Sequence, residues 1–230
     1  MERPVKIAPS ILSADFATLG AAVEAAQAGG ADLIHLDIMD GHFVPNLTFG
    51  ASMVKALRHH TTLPLDCHLM IEKPDRFVPD FVKAGADMVT VHEEASPHLH
   101  RTVSLIRESG AKAGVALNPH TPLANAEVIA GEADMLLLMT VNPGFGGQKF
   151  IRSVLPKFEA AERLRAERGL AFDIEVDGGI TVETAPLAAA AGANILVAGN
   201  AVFNERPIAD NIKALREAAS NKGRDAQATG

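Results

Sequence analysis

Gly85-Ala86-Asp87-Met88-Val89-Thr90-Val91-His92 is the stretch from which the fold can be read. A glycine ends a helix because it accepts the left-handed conformation without a Cβ clash, and an apolar, β-branched run starts within a few residues. The same punctuation recurs at Gly30-Ala31-Asp32, Gly110-Ala111-Lys112, Gly131-Glu132-Ala133-Asp134 and Gly192-Ala193-Asn194. Short runs rich in Val, Ile and Leu occupy 5–12, 33–39, 65–71, 88–92, 113–117, 135–141, 172–176 and 195–198, giving eight strand candidates. The intervening stretches carry the longer helical period, as in Leu19, Val23, Ala26, in Val154, Phe158, Ala161, Leu164, and in Ile208, Ile212, Leu215.

Strand and helix therefore alternate throughout, which predicts an α/β protein. Eight units in 230 residues come to about 29 residues each, close to a single (β/α)8 TIM barrel and its typical ~250 residues. An open doubly wound sheet shows the same alternation. It ranks second, because no G-x-G-x-x-G follows the first strand and the units number eight rather than five or six. The barrel is expected over 1–219, with a polar, small-residue disordered tail over 220–230.

Composition narrows the function classes. The net charge is −7, from 21 basic and 28 acidic residues, without a basic block or interleaved aromatics, so nucleic acid and anionic membrane surfaces are disfavoured as partners. A lone Cys67 excludes a disulfide framework and a Cys-rich zinc finger. The opening MERPVKIAPSIL has too short an apolar run for a signal peptide, and no apolar segment is long enough to span a membrane. A cytoplasmic protein is expected.

In a barrel the chemistry lies at the carboxyl ends of the strands. The second strand ends His35-Leu36-Asp37-Ile38-Met39, and period two puts His35, Asp37 and Met39 on one face. The third ends Asp66-Cys67-His68-Leu69-Met70, again with carboxylate, imidazole and Met sharing a face. The seventh ends Glu175-Val176-Asp177-Gly178-Gly179. Taken singly, each histidine reads as a hydrogen-bonded core residue. The coincidence at three strand ends points instead to His35, Asp37, His68 and Asp177 as ligands of one divalent cation, Zn²⁺, Fe²⁺, Mn²⁺ or Co²⁺. His98, His100, His59 and His60 lie at helix ends and read as surface residues, while His92, at a strand end, is weighed as a support for the site against a plain core role.

Asn142-Pro143-Gly144-Phe145-Gly146-Gly147-Gln148 follows the sixth strand, Gly178-Gly179 the seventh and Gly199-Asn200 the eighth. Glycines let backbone N–H groups approach an anion, and this fold often holds a phosphate at these strand ends against a short extra helix, for which Ala201-Val202-Phe203 is the candidate.

Five segments carry a family resemblance: Ala8-Pro9-Ser10-Ile11-Leu12-Ser13-Ala14-Asp15, the run from His35 to Asn46, His68-Leu69-Met70, the run from Val141 to Gln148, and Val176-Asp177-Gly178-Gly179-Ile180. In order and spacing they resemble the signatures of the ribulose-phosphate 3-epimerase family. The resemblance implies a ribulose-phosphate-binding barrel that interconverts D-ribulose 5-phosphate and D-xylulose 5-phosphate through a metal-stabilised cis-enediolate. It implies His35, Asp37, His68 and Asp177 as metal ligands and Asp37 and Asp177 as the acid–base pair. Ser10 and His68 would contact substrate, with Gly144, Phe145, Gly146, Gly147, Gly178, Gly179, Gly199 and Asn200 around its phosphate and Met39, Met70 and Met139 against the reacting carbons. The family more often has Ser where this chain has Asn200. Two alternatives are an allulose 6-phosphate 3-epimerase and a non-catalytic sugar-phosphate-binding barrel. Retention of both aspartates argues against the latter. A homo-oligomer is expected, as for many barrels of this size.

Overall fold

The computed structural model describes residues 3–220. Strands β1 (Lys6–Pro9), β2 (Ile34–Met39), β3 (Leu65–Met70), β4 (Met88–His92), β5 (Lys112–Leu117), β6 (Met135–Met139), β7 (Asp173–Asp177) and β8 (Ile195–Ala198) pair in parallel in the order β1-β8-β7-β6-β5-β4-β3-β2. A Ser10–His35 bridge brings β1 back to β2, so the sheet is a nearly closed barrel. Helices α1 (Leu19–Ala28), α2 (Ala51–Leu57), α3 (Val78–Ala84), α4 (Leu99–Glu108), α5 (Ala124–Glu127), α6 (Leu155–Arg168), α7 (Ala185–Ala190) and α8 (Ile208–Ser220) alternate with them.

The glycine punctuation has a physical basis on the rim where the strands begin. Gly85 closes α3 at φ +111°, and two residues later Asp87 clasps the preceding strand. Its N–H donates to Leu65 O at 3.0 Å, and its carboxylate accepts from Leu65 N–H at 2.8 Å. The same two-way clasp joins Asp32 to Ile7, Asp134 to Ala113 and Asn194 to Ile174. A short side chain with an acceptor oxygen is what this geometry needs, which explains Asp or Asn after Gly-Ala.

Strand residues that point outward, such as Ile7, Leu36, Val89, Val115, Leu136 and Val176, pack against Val23, Val54, Phe81, Val103, Phe158 and Ile212 of the helices, all essentially buried. Inside the barrel, Leu33, Met88, Met135 and Ile195 form an apolar plug. The interior also holds His35, Asp66 and Glu175, each fully buried. Two positions further along the same strands come Asp37, His68 and Asp177.

Three sequence expectations change. β1, β3 and β6 stop short of the apolar runs, at Pro9, Met70 and Met139. Ser10, for instance, caps a 3₁₀ turn by accepting from Leu12 N–H. Ala201-Val202-Phe203 is a hydrogen-bonded turn on Gly199 O rather than a helix, because two N–H groups, of Val202 and Phe203, converge on that one carbonyl and the chain then leaves. Finally, α8 runs through Ser220, and the tail expected beyond it falls on 221–230, outside the described residues.

Candidate active site

A cleft of about 560 Å³ opens at the carboxyl ends of the strands. Asp37, Asp177, Ser10, Met39, Met70 and Met139 line it, together with Gly144 to Gly147, Gly178, Gly179, Gly199 and Asn200. The expected residues thus converge on one place. His35 and His68 are fully buried and are not among the cleft-lining residues. Their ring nitrogens nevertheless reach the two aspartates. His68 Nδ1 lies 3.3 Å from Asp37 Oδ1 and 3.7 Å from Asp177 Oδ2, and His35 Nε2 lies 3.4 Å from Asp37 Oδ1.

The four side chains offer one ligand atom each within 4.8 Å of one another. His35 Nε2 is buried and makes no hydrogen bond, although burying a polar atom without a partner is costly. Behind it, Nδ1 is 2.7 Å from Asp66 Oδ2, which fixes the tautomer that points the Nε2 lone pair at the aspartates. An orphaned lone pair facing two carboxylates and a second imidazole is the donor set of a divalent cation, so the residues fit a metal.

The electrostatics agree. Burial works against a charge on His35, yet Asp37 and Asp66 outweigh it and raise its pKa well above the ordinary value. The cluster thus favours positive charge at this point, whether proton or cation. Burial pushes Asp37 up, but His35 and His68 reverse this and hold it well below the usual carboxylate range. Asp177 moves the other way, raised by burial and by the charge of Asp37 to about 7. Burial draws His68 down to about 4, leaving a neutral ring. Ser10 Oγ donates to Asp37 Oδ2 at 2.5 Å and settles that carboxylate from the β1 side.

The glycine turns frame the upper cleft. Gly144 and Gly147 have φ of +125° and +74°, whereas Gly146 has no positive φ and only Ser13 Oγ near its missing Cβ, at 3.7 Å. Asn46 Nδ2 holds the loop by donating to Gly144 O at 2.8 Å, and Thr140 Oγ1 supports the β7 turn through Gly178 O at 2.6 Å. Asn200 Nδ2 would stand 3.0 Å from a Cβ at Gly147, so the β6 and β8 turns meet.

The period-two pattern contains Asp66 and Glu175, which lie buried beneath the site, but does not mark them as site residues. His98 is exposed, and His100 pairs at the surface with Glu132 at 3.2 Å. His92 is fully buried and lies 2.8 Å from His68 Nε2.

Residues 6–203 match the model of the family described as "Ribulose-phosphate 3 epimerase family". The chain belongs to that family. It is 58% identical over 219 residues to the ribulose-phosphate 3-epimerase of Bacillus subtilis, covering 95% of this chain and 100% of that one. It is 53% identical over 212 residues to the chloroplastic ribulose-5-phosphate-3-epimerase of Arabidopsis thaliana, covering 91% of this chain and 75% of that one. Among solved structures, a tryptophan synthase α-subunit mutant from Pyrococcus furiosus superposes with TM-score 0.68 at 18% identity, covering 96% of this chain and 99% of that one. That likeness concerns the barrel alone. Family members of this kind are isomerases, and no described helix is long and apolar enough to cross a membrane.

Proposed function

We propose that this protein is a cytoplasmic, metal-dependent epimerase that interconverts D-ribulose 5-phosphate and D-xylulose 5-phosphate, with Asp37 and Asp177 as its acid–base pair. The observation that carries this reading is the placement of two carboxylates from β2 and β7 in the cleft, both within 4 Å of His68 Nδ1. Inversion at C3 needs one group to take a proton from one face and another to deliver a proton to the opposite face. Two carboxylates that reach the cleft from different strands suit those roles. The roles exchange when the reaction runs backward.

His35, Asp37, His68 and Asp177 would hold one divalent cation, whose positive charge polarises the substrate ketone and lowers the barrier to removing a proton beside it. Ser10 steadies Asp37 against rotation, and Met39, Met70 and Met139 give the cleft an apolar lining that keeps bulk water from the reacting carbons. The β6, β7 and β8 turns, at Gly144 to Gly147, Gly178-Gly179 and Gly199-Asn200, present backbone N–H groups for the substrate phosphate. Self-association would cover Phe16, packed edge-on to Phe49, and Leu47, which is 74% exposed.

The test is a turnover assay on protein reconstituted in turn with Zn²⁺, Fe²⁺, Mn²⁺ and Co²⁺, with ribulose 5-phosphate compared against allulose 6-phosphate in deuterated water. Xylulose 5-phosphate labelled at C3 is expected. Failure to form it with any metal overturns the assignment, and faster turnover of the hexose phosphate replaces the substrate.

A further inference from the structure

Behind His68 a chain of hydrogen bonds runs out of the site. His68 Nε2 lies 2.8 Å from His92 Nε2, the two rings meeting end to end with centroids 5.0 Å apart and planes inclined by 28°. His92 Nδ1 lies 3.1 Å from Glu94 Oε2. Glu94 Oε1 accepts from Asn118 N–H at 2.8 Å and from the Thr121 hydroxyl. His92 is fully buried, and the Glu94 side chain is 17% exposed.

The polarity of this chain follows from the inventory of donors. Carboxylates stand at both ends, Glu94 at 3.1 Å from His92 Nδ1 and Asp37 at 3.3 Å from His68 Nδ1, and each can only accept. Two neutral rings carry one hydrogen each, so only one end is served, and the shorter contact places that hydrogen on His92 Nδ1 toward Glu94. His92 Nε2 is then a lone pair. At 2.8 Å from it, His68 Nε2 must be the donor, which leaves His68 Nδ1 as a lone pair facing Asp37 and Asp177. Without Glu94 the reverse order would be equally complete, with His68 Nδ1–H donating to Asp37. The two orders hold the same number of protons and differ only in tautomer.

We propose that Glu94, acting through His92, is a positioning residue that fixes the tautomer of His68 so that Nδ1 offers a lone pair to the Asp37–Asp177 cluster. This rests on the reading of His68 as a metal ligand, since only a lone pair can bind a cation. The two imidazoles of the site are thus oriented from behind by different carboxylates: His35 directly by Asp66, His68 through a second ring by Glu94.

Glu94→Gln tests it with almost no change in shape. Because Asn118 N–H and Thr121 both donate to one oxygen, the amide oxygen must stay there and the NH₂ must face His92 Nδ1. That reverses the chain and points His68 Nδ1–H into the site. Histidine ¹⁵N shifts of the full-length, metal-stripped protein should show His68 protonated at Nε2 and His92 at Nδ1 in wild type, with both exchanged in the variant. Zn²⁺ affinity by calorimetry should fall about 10- to 100-fold, the range for losing an outer partner of a ligating histidine. A merely structural role would lower the melting temperature and leave both readouts unchanged. A wild-type His68 protonated at Nδ1 overturns the proposal even if the variant fails to fold. So does a folded variant whose Zn²⁺ affinity stays within about threefold of wild type. Zn²⁺ affinity that is equal in wild type and His35→Ala would instead overturn the metal reading, and the wild-type ¹⁵N shifts would still decide the polarity.

Discussion

Gly146 and Gly179 look alike in the sequence as loop glycines beside a phosphate site, but the structure predicts opposite outcomes for replacing each with alanine. Gly179 has φ +65°, and a Cβ there would lie 2.6 Å from Phe150 N, 2.9 Å from Phe150 Cα and 3.0 Å from Gln148 O. The left-handed conformation costs a non-glycine residue roughly 1–2 kcal/mol. Overlap with backbone cannot be relieved by a rotamer change, and overpacking of this kind costs about 1–3 kcal/mol more. Gly179→Ala should therefore lose about 2–5 kcal/mol of unfolding free energy, or displace the 148–150 segment that borders the cleft. At Gly146, with ordinary φ and its nearest contact at 3.7 Å, alanine restricts the unfolded chain and should be neutral or stabilising by up to about 1 kcal/mol. Urea unfolding of both variants gives the free energies. Kinetics on ribulose 5-phosphate and on ribulose without its phosphate show whether any loss is specific to the phosphorylated substrate. Gly179→Ala with stability within about 0.5 kcal/mol of wild type and an unchanged KM would refute the reasoning.

Further predictions concern the acid–base pair, the acid stability of the barrel and its interior packing. Asp37→Asn and Asp177→Asn should each lower kcat in both directions about 10²- to 10⁴-fold in steady-state assays, and either one retaining a tenth of wild-type turnover contradicts the two-aspartate scheme. Burial opposes ionisation of Asp173, but hydrogen bonds from Lys6, Asn194 and Arg3 depress its pKa in the folded state. Its contribution is therefore present above the unfolded value of about 3.9 and is lost as pH falls through the folded one. Asp173→Asn should be less stable than wild type at neutral pH, with the gap closing below about pH 4 in urea titrations. On β5, a Cβ at Gly114 would lie 2.1 Å from Thr90 Oγ1, so Gly114→Ala should cost about 1–3 kcal/mol. Most of this should return in the Gly114→Ala, Thr90→Ala double variant, and a simply additive double-mutant cycle would deny the clash.

The alternation of strands and helices was legible because many units are punctuated chemically: a glycine releases the helix, and in four of them an Asp or Asn then clasps the preceding strand. His35, Asp37, His68 and Asp177 were legible because period two places them on inward faces at strand ends. The links behind them were not. That Asp66 reaches His35 depends on the His35–Asp66 register of β2 and β3, and that His92 reaches His68 depends on β3 and β4 being neighbours. The strand ends at Pro9 and Met139 were also hidden, since an apolar run continues past the last ladder bond in both cases. Nor does the sequence distinguish Gly146, which has no positive φ, from Gly144 and Gly147, which do.

The Asp and Asn clasps at Asp32, Asp87, Asp134 and Asn194 lie on the rim away from the cleft and join residues 25, 22, 21 and 20 positions apart. Each therefore closes a segment of nearly constant length, a strand with its return helix, whose two ends are tied together independently of the turn at the far end. Such a segment is an interchangeable cassette. The turn over the cleft can be lengthened, shortened or exchanged for that of another barrel without loosening the tie beneath it. Efforts to redirect this scaffold to other sugar phosphates should therefore graft whole turns between intact clasps rather than alter strand ends one residue at a time.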